Sequence, residues 1–255
     1  MIRVAVAGYA GRMGSTVVDT VEAAEDMEVA CGIDPHRKKS TFPAYETVSE
    51  ALANENFDVL VDFTQPDSVV ENVRAALAAG VDCVIGTSGI SSEALEELAS
   101  RAPAGTCVFF APNFTTGAVL MMQFAQAAAP YFPEAEIIES HHARKKDAPS
   151  GTAVRTAHMI SQARGGQPSC APGKETELEG FEGARGALVE GVPVHSVRSM
   201  GYVATQKVVF GSLGQTLTIK HDSWDRASYM PGVLLGIRSV GSREGLVVGL
   251  ENFMR

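Results

Sequence analysis

The sequence predicts an α/β protein in two parts: a doubly wound parallel sheet, followed by an α+β region with an open mixed sheet. Over the first 110 residues, short apolar strands alternate with helical stretches, a pattern typical of a parallel sheet with helices on both faces. A glycine-rich turn follows the first strand and allows a tight entry into the next helix. From Val192 onward, polar and apolar residues alternate, which indicates half-exposed antiparallel strands.

The first region contributes five predicted strands and three predicted helices. Each strand is a short apolar run bounded by turn residues, whereas the helical stretches have helical spacing or composition. The strands are Ile2–Ala7, Glu28–Ile33, Val59–Val61, Cys83–Ile85 and Cys107–Phe110, and the helices are Met13–Ala24, Ser68–Ala79 and Ser91–Ala102.

The second region differs from the first in composition and in the pattern of its predicted elements. The change near Pro112-Asn113 predicts a domain boundary there. The predicted domains are a dinucleotide-binding domain over 1–112, completed by 223–255, and a substrate-binding and oligomerisation domain over 113–222. A Gly/Pro/Glu-rich stretch from Gly165 to Gly186 predicts a flexible excursion. The predicted helices are Ala118–Ala129, Thr152–Ala163 and Met230–Val240, and the strands are Glu134–His141, Val194–Arg198, Gly201–Phe210 and Gln215–Lys220, followed by the apolar run Gly245–Leu250.

Composition excludes several classes of function. The chain has 255 residues, a net charge of −9 and a mean hydropathy of +0.05, so binding to nucleic acid through phosphate neutralisation is not expected. It contains no apolar run of about 18 residues, so no membrane association is expected. The N-terminus enters a strand pattern without a signal-peptide layout, which predicts a cytoplasmic protein. The four cysteines are scattered and predict core residues rather than a metal site or disulfides.

A glycine-rich turn joins the first strand to the first helix. Glycines there let the backbone approach a pyrophosphate at the helix N-terminus, so the turn predicts a dinucleotide site in a Rossmann-type sheet. Its spacing is G-x-x-G-x-x-G rather than the common G-x-G-x-x-G, and the strand before it and the helix after it strengthen the assignment. The turn reads Gly8-Tyr9-Ala10-Gly11-Arg12-Met13-Gly14.

The cofactor is predicted to be NADH or NADPH. Asp34 ends the second strand and suits the ribose hydroxyls of NADH, whereas Arg37, Lys38 and Lys39 in the same loop suit the 2′-phosphate of NADPH. The basic loop can also be a solvated turn, so the sequence supports dual use or leaves the preference open.

Three further loops follow strands on the same edge of the predicted sheet, where open α/β sheets bind ligands. Gly86 permits close approach of a ligand, Thr87 offers a hydroxyl near a nicotinamide or substrate, and the last loop is a predicted interdomain hinge. The loops are Asp62-Phe63-Thr64-Gln65-Pro66, Gly86-Thr87-Ser88-Gly89 and Ala111-Pro112-Asn113-Phe114.

The segment from Glu139 to Ala153 concentrates two histidines and three cations immediately before a predicted helix N-terminus. Free N–H groups at a helix N-terminus attract anions, so this segment predicts a site for a small acidic substrate beside a proton donor. A solvated basic loop is the alternative. A metal site is not expected, because the adjacent residues His141 and His142 point to opposite faces of a strand.

These motifs together resemble the dihydrodipicolinate reductase family, also called 4-hydroxy-tetrahydrodipicolinate reductases, over essentially the whole chain. The segment from Glu139 to Ala153 matches the family pattern E-x-H-H-x-x-K-x-D-A-P-S-G-T-A throughout. The resemblance implies reduction of a cyclic imine-like dicarboxylate in lysine and diaminopimelate synthesis, with NADH or NADPH, in a homotetramer assembled through the second sheet.

The resemblance also implies roles for individual residues. His141 corresponds to the catalytic acid and Lys145 to a second catalytic and substrate-binding group. His142, Gly151, Thr152 and Arg226 correspond to substrate-binding positions. Two departures are Ser88, where many members have threonine, and the Asp34-Pro35-His36-Arg37 run, which replaces the acid-plus-arginine pair of some members. The alternatives are a nucleotide sensor with a degenerate site and a reductase for another small imine.

Overall fold

The structure is a computed structural model that describes residues 1–169 and 180–254. The chain folds as two compact units. Unit 1 comprises Met1–Thr116 and Arg226–Arg255, and unit 2 comprises Gly117–Asp225. The part of the predicted Gly165–Gly186 excursion that covers residues 170–179, including Cys170, lies outside the described residues.

Unit 1 contains a seven-stranded sheet in the order β12-β6-β5-β4-β1-β2-β3, and every strand pair in it is parallel. The chain builds outward from β1 in one direction and then returns to place β4 on the other side of β1, which creates a topological switch point. The strands are β1 (Ile2–Ala7), β2 (Met27–Ile33), β3 (Ala44–Tyr45), β4 (Val59–Asp62), β5 (Asp82–Ile85), β6 (Cys107–Phe110) and β12 (Gly245–Val248).

Helices cover this sheet, so its central strands are buried apolar runs rather than alternating ones, whereas the edge strands β3 and β12 are only partly buried. Three cysteines of this unit that were predicted to be core residues, Cys31, Cys83 and Cys107, are buried free thiols. Burial raises the pKa of Cys31 and of Cys107 to about 12. The helices are α1 (Arg12–Glu22), α2 (Val48–Asn54), α3 (Pro66–Ala78), α4 (Ser92–Ser100) and α7 (Met230–Val240), with short 3₁₀ helices at Arg226–Tyr229 and Leu250–Asn252.

Unit 2 contains a five-stranded mixed sheet in the order β11-β10-β7-β9-β8. Buried residues of β7, β9 and β10, including Ile137, Val194 and Phe210, form a core with α5 and α6. The strands are β7 (Glu134–His141), β8 (Ala187–Val189), β9 (Val192–Arg198), β10 (Ala204–Ser212) and β11 (Gln215–Ser223), the helices are α5 (Thr116–Ala128) and α6 (Gly151–Ala163), and a 3₁₀ helix spans Ala129–Tyr131.

The predicted fold class is confirmed in both units, and three elements were missed: β3, α2 and β8. One prediction was wrong in detail. The strand β9 was expected to be antiparallel, but it pairs parallel to β7 and antiparallel to β8. Alternation of polar and apolar residues reports that one face of a strand is buried, not the direction of its neighbour, because both pairings alternate side chains across the sheet.

Candidate active site

The glycine-rich turn lies directly after β1, at the switch point of the parallel sheet. Gly8 has a φ of +80°, and its N–H donates to Ile33. A Cβ on Gly14 would lie 2.0 Å from the Gly8 carbonyl oxygen, so only glycine lets α1 start this close to the turn. Gly11 occupies the N-cap position of α1, and the N-terminal N–H groups of the helix follow it. This geometry fits a pyrophosphate.

A buried carboxylate, Asp62, holds the two neighbouring loops together. Its Oδ1 accepts hydrogen bonds from the Thr64 N–H at 3.0 Å, the Thr64 hydroxyl at 2.7 Å and the Thr87 hydroxyl at 2.6 Å. Its Oδ2 accepts from Nδ2 of Asn72 at 2.9 Å. The Thr87 hydroxyl also accepts from the Thr64 N–H at 2.8 Å, so this side chain joins the loop after β4 to the loop after β5.

Close packing defines the rest of this sheet edge. A Cβ on Gly86 would lie 2.1 Å from the Phe63 ring, so glycine is needed where the β5 loop passes that ring. The Phe63 ring also contacts Phe114, with ring centroids 5.8 Å apart. In the loop after β6, Ala111 and Phe114 are buried, Asn113 is half-buried and accepts a hydrogen bond from the Thr115 N–H through Oδ1, and Pro112 is exposed, as is Ser88 in the loop after β5.

The loop after β2 approaches the glycine-rich turn. The Tyr9 hydroxyl donates to the Lys38 carbonyl at 2.9 Å, and Nζ of Lys38 donates to the Ala10 carbonyl at 2.5 Å. Asp34 accepts a hydrogen bond from the His36 N–H at 2.8 Å, while Arg37 forms an ion pair with Glu46 at 2.9 Å. Lys38 therefore lies against the turn that fits a pyrophosphate, in the same loop as Asp34 and Arg37.

In unit 2, the predicted proton donor lies at the end of β7 and contacts a buried acid. Nδ1 of His141 lies 2.5 Å from Oε2 of Glu139, which has no exposed surface. Arg198 of β9 contacts both oxygens of Glu139, each at 2.8 Å. Nζ of Lys145 pairs with Asp147 at 2.8 Å. The neighbouring residue His142 is exposed, so the two histidines have different environments.

The helix α6 starts immediately after this cluster. Ser150 is its N-cap: its hydroxyl accepts from the Ala153 N–H at 3.2 Å, and its own N–H donates to Glu139 at 3.2 Å. Gly151 is exposed and Thr152 is half-buried in the first turn. The first helical turn has no acidic residue, so its N–H groups and partial positive charge are suited to an anion.

The charges around His141 act in opposite directions. Burial lowers the pKa of His141, Glu139 raises it, and Lys145 and Arg198 lower it, with a net decrease. Burial alone would raise the pKa of Glu139, but hydrogen bonds from Arg198, Ser196 and His141 outweigh it, and the pKa of Glu139 is lowered. The ion pair with Lys145 lowers the pKa of Asp147. The cluster thus holds an ionised Glu139 against a histidine that is easily deprotonated.

The structure places the predicted site residues in two sets. The candidate nucleotide residues and Arg226 belong to unit 1, where Arg226 is exposed and begins a 3₁₀ helix. The pair His141 and Lys145 and the start of α6 belong to unit 2. Across residues 1–169 and 180–254, no group of three His, Cys, Asp or Glu side chains is arranged to hold a metal ion. Within the same ranges, every helix is too short or too polar to cross a membrane.

The sheet, its switch point and its glycine-rich turn define a class: a pyridine-nucleotide oxidoreductase of the Rossmann type. The chain belongs to the dihydrodipicolinate reductase family. Residues 2–114 match the family profile described as "Dihydrodipicolinate reductase, N-terminus", and residues 117–254 match "Dihydrodipicolinate reductase, C-terminus". The resemblance drawn from the motifs is confirmed.

Individual relatives are similar over their full length. A 4-hydroxy-tetrahydrodipicolinate reductase of Mycolicibacterium vanbaalenii is 47% identical over 252 residues, with 98% of each chain covered. An Enterococcus faecalis protein of the same name is 47% identical over 266 aligned positions, with both chains fully covered. The solved structure of dipicolinate-bound dihydrodipicolinate reductase from Paenisporosarcina sp. TG-14 is 43% identical, with 99% of each chain covered and a TM-score of 0.88.

Three residues that organise the sites were given no role by sequence reasoning: Asp62 and Glu139, which lie within the quoted motifs, and Arg198, which appeared only as the end of a strand. A signal existed for Glu139, because it follows Ala135 and Ile137 at a spacing of two residues and therefore lies on the buried face of β7. A charged residue on a buried face needs a partner. The position of Thr87 was identified, but its hydroxyl contacts Asp62 and Thr64 rather than standing free for a ligand.

We predict that Asp62→Ala destabilises unit 1 and weakens nucleotide binding. The substitution removes the side-chain acceptor of the Thr64 and Thr87 hydroxyls and of Nδ2 of Asn72, at a cost of about 1–3 kcal/mol for each buried donor that water does not reach. Nucleotide affinity should fall roughly tenfold, equivalent to about 1.4 kcal/mol. Urea unfolding and fluorescence titration with NADPH measure the two effects. The control is Asp19→Ala on the exposed side of α1; equal behaviour of the two variants would contradict the role of Asp62.

Proposed function

We propose that this protein reduces 4-hydroxy-tetrahydrodipicolinate to tetrahydrodipicolinate with NADH or NADPH, in lysine and diaminopimelate biosynthesis. The overall change adds a hydride and a proton and releases the 4-hydroxyl group as water. The observation that carries the proposal is the cluster in unit 2, where His141 and Lys145 precede the N-terminus of α6. Two relatives that are 47% identical to this chain are named 4-hydroxy-tetrahydrodipicolinate reductase, after that reaction.

The substrate carries two carboxylates, and unit 2 offers two kinds of anion-binding group. The ammonium of Lys145 is a compact positive charge that attracts one carboxylate. The N–H groups of Gly151 and Thr152 at the start of α6 dock the other. In the free protein Lys145 pairs with Asp147, whose side chain is 55% exposed. Because solvent reaches the Asp147 side of this pair and screens it, Asp147 can be exchanged for a substrate carboxylate at little cost.

Proton delivery is assigned to His141. Loss of the 4-hydroxyl group together with a ring proton, as water, leaves a conjugated ring. Addition of a hydride to this ring leaves electron density that must be quenched by a second proton, and an imidazolium is a suitable donor near neutral pH. Burial lowers the pKa of His141 in the free protein. A bound dianion adds negative charge beside the ring and raises that pKa again, because an opposite charge favours the protonated form. Binding of substrate therefore charges the donor that the reaction needs.

The nucleotide is assigned to the switch point of unit 1. The bound nicotinamide supplies the hydride. Gly8, Gly11 and Gly14 admit the pyrophosphate, with the turn residues Tyr9, Ala10, Arg12 and Met13 completing the wall. The loops after the neighbouring strands complete the site, and Thr87 contributes by holding them in place through Asp62. These loops supply Phe63, Gly86, Thr87, Ser88, Ala111, Pro112, Asn113 and Phe114.

We propose that both nucleotides serve as reductant. Asp34 accepts hydrogen bonds from the ribose hydroxyls of NADH, whereas Arg37 and Lys38 neutralise the charge of the 2′-phosphate of NADPH. Arg37 pairs with Glu46 when no phosphate is present, and that exposed pair is readily exchanged. His142 and Arg226, both exposed, are assigned to substrate binding.

We also propose a homotetramer assembled through the sheet of unit 2. One face of this sheet is packed against α6, and the other carries the half-buried apolar residues Ile138 and Val209 together with Val197, which is 39% exposed. A second copy of the chain would remove these apolar side chains from water, beside the charged residues Glu136 and Lys207 on the same face. A native mass near four times 26.9 kDa supports the assembly, and a monomeric mass contradicts it.

The function is tested by a coupled assay with freshly generated 4-hydroxy-tetrahydrodipicolinate, with NADH and NADPH compared in parallel. We expect substrate-dependent oxidation of both nucleotides. Oxidation with another small imine or keto acid but not with this substrate would assign the chain to a related reductase. Binding of nucleotide without turnover of any substrate would identify a sensor and contradict the proposal.

We predict that His141→Gln lowers kcat by about 10²–10⁴-fold, the usual contribution of a positioned proton donor. Nucleotide affinity should change little, because the nucleotide residues belong to the other unit. The matched control is His158→Gln, since His158 is an exposed histidine that also contacts a glutamate, Glu190. Steady-state kinetics with fresh substrate measure the effect. Near-wild-type turnover in His141→Gln would refute the assignment.

We predict that Lys145→Ala raises KM and lowers kcat together, because the charge that attracts the substrate carboxylate also orients the ring for reduction. Lys146→Ala, a change of the adjacent exposed lysine, is the control and should leave both constants nearly unchanged. Affinity for dipicolinate, measured by calorimetry, should fall only in Lys145→Ala. Equal affinities in a folded Lys145→Ala variant and in the wild type would contradict the anion site.

A further inference from the structure

The contact between Glu139 and His141 is built into the strand β7. Residues two apart on a strand lie on the same face, so the two side chains are neighbours by register. Glu139 has no exposed surface, and the side chain of His141 is 15% exposed. Nδ1 and Oε2 lie 2.5 Å apart, within hydrogen-bond distance, and a hydrogen bond to a charged carboxylate is stronger than one between neutral groups. One nitrogen of the ring therefore faces the protein interior and is occupied.

Arg198 fixes the ionisation and the orientation of Glu139. In the parallel pairing of β7 with β9, Arg198 lies beside His141, and its two terminal nitrogens reach the two oxygens of Glu139 at 2.8 Å each. The Ser150 N–H adds a contact at 3.2 Å. A buried carboxylate without partners would take up a proton, but one with this fork of donors stays charged. The pKa of Glu139 is lowered accordingly.

An ionised carboxylate can only accept hydrogen bonds, so Nδ1 of His141 must be the donor in this contact. The hydrogen bond at one ring nitrogen determines which nitrogen carries the exchangeable proton. We propose that Glu139 is a positioning residue for proton transfer: held by Arg198, it keeps the Nδ1 proton of His141 and leaves Nε2 as the nitrogen that gains and releases the catalytic proton. This inference rests on the proposed function for its role in turnover, but the tautomer can be tested without turnover.

The electrostatic balance makes Glu139 the partner that favours a protonated ring. The charged groups that act on His141 are Glu139 on its own strand, Arg198 on β9 and Lys145 in the loop before α6. Burial and the two cations lower the pKa of His141, whereas Glu139 raises it. Removing the charge of Glu139 would therefore leave His141 neutral over a wider pH range. The proton donor would be lost even though the ring remained in place.

The tautomer is tested directly in the wild-type protein. The ¹⁵N chemical shifts of His141, assigned with His141→Gln, are followed from low to high pH by NMR. We expect the neutral ring to be protonated at Nδ1 and unprotonated at Nε2. A neutral ring protonated at Nε2 would overturn the proposal. This measurement needs no substrate, so it stands whether or not the proposed reaction is correct.

The function of the contact is tested with Glu139→Gln. The amide of glutamine can offer a donor to Nδ1, so the neutral ring should change to the Nε2-protonated form. We expect kcat to fall by about 10²-fold or more with little change in KM, since the loss of an orienting carboxylate in Ser–His–Asp sites costs up to about 10⁴-fold. The pH above which kcat/KM declines should also move lower. The control is Glu190→Gln, which removes the carboxylate beside the exposed His158 and should change none of these properties at His141.

The outcomes separate the two proposals. A folded Glu139→Gln variant with an unchanged tautomer and pH profile would refute the positioning role. A wild-type protein with the expected tautomer but no turnover of the substrate would refute the proposed function alone. If Glu139→Gln does not fold, which circular dichroism would reveal, then the wild-type tautomer decides, and Glu139→Asp tests whether a shorter carboxylate retains part of the activity.

Discussion

The fully buried carboxylate of Glu139 is the interaction on which unit 2 depends. It joins β7 to β9 through Arg198, meets the N-cap of α6 through the Ser150 N–H, and holds the ring of His141. Removing any one partner would leave a charge or a donor buried without its match, which is among the most costly changes in a protein interior. The same group therefore joins two strands of the sheet and contacts His141, to which we assign proton delivery.

Unit 1 also contains a buried carboxylate that joins neighbouring segments through several hydrogen bonds. Asp62 is also fully buried at the carboxyl end of a strand, and it joins the loops after β4 and β5 through Thr64 and Thr87. Loops at that end of a parallel sheet form the ligand site, but loops are also the least constrained part of a fold. A buried acceptor with several donors converts them into a fixed surface. In both units, a buried acid holds the groups to which we assign ligand binding in place.

The parallel sheet of unit 1 and its glycine-rich turn could be predicted from the sequence. The central strands are continuous apolar runs, and the glycines of the turn are required by steric contacts with neighbouring residues in the chain. The two-residue strand β3 and the helix α2 were missed, since neither has enough residues for a clear period. The parallel direction of β9 relative to β7 depends on how the chain connects the strands, and not on the alternation of polar and apolar residues within β9. Asp62 and Arg198 could not be identified, because their partners come from other strands and loops, and only the folded chain brings them together.

The account depends most directly on the charge of Glu139, which can be measured by following its carboxyl carbon by ¹³C NMR, with Glu139→Gln used for assignment. Because hydrogen bonds from Arg198 and its other partners outweigh burial, the pKa of Glu139 lies below its ordinary value. We expect the carboxyl carbon to keep the chemical shift of an ionised carboxylate as the pH is lowered from about 8 to about 5. This whole interval lies above the ordinary pKa of glutamate. A carboxyl group that is protonated at neutral pH would contradict the account, since it could donate to His141 and would no longer fix the ring.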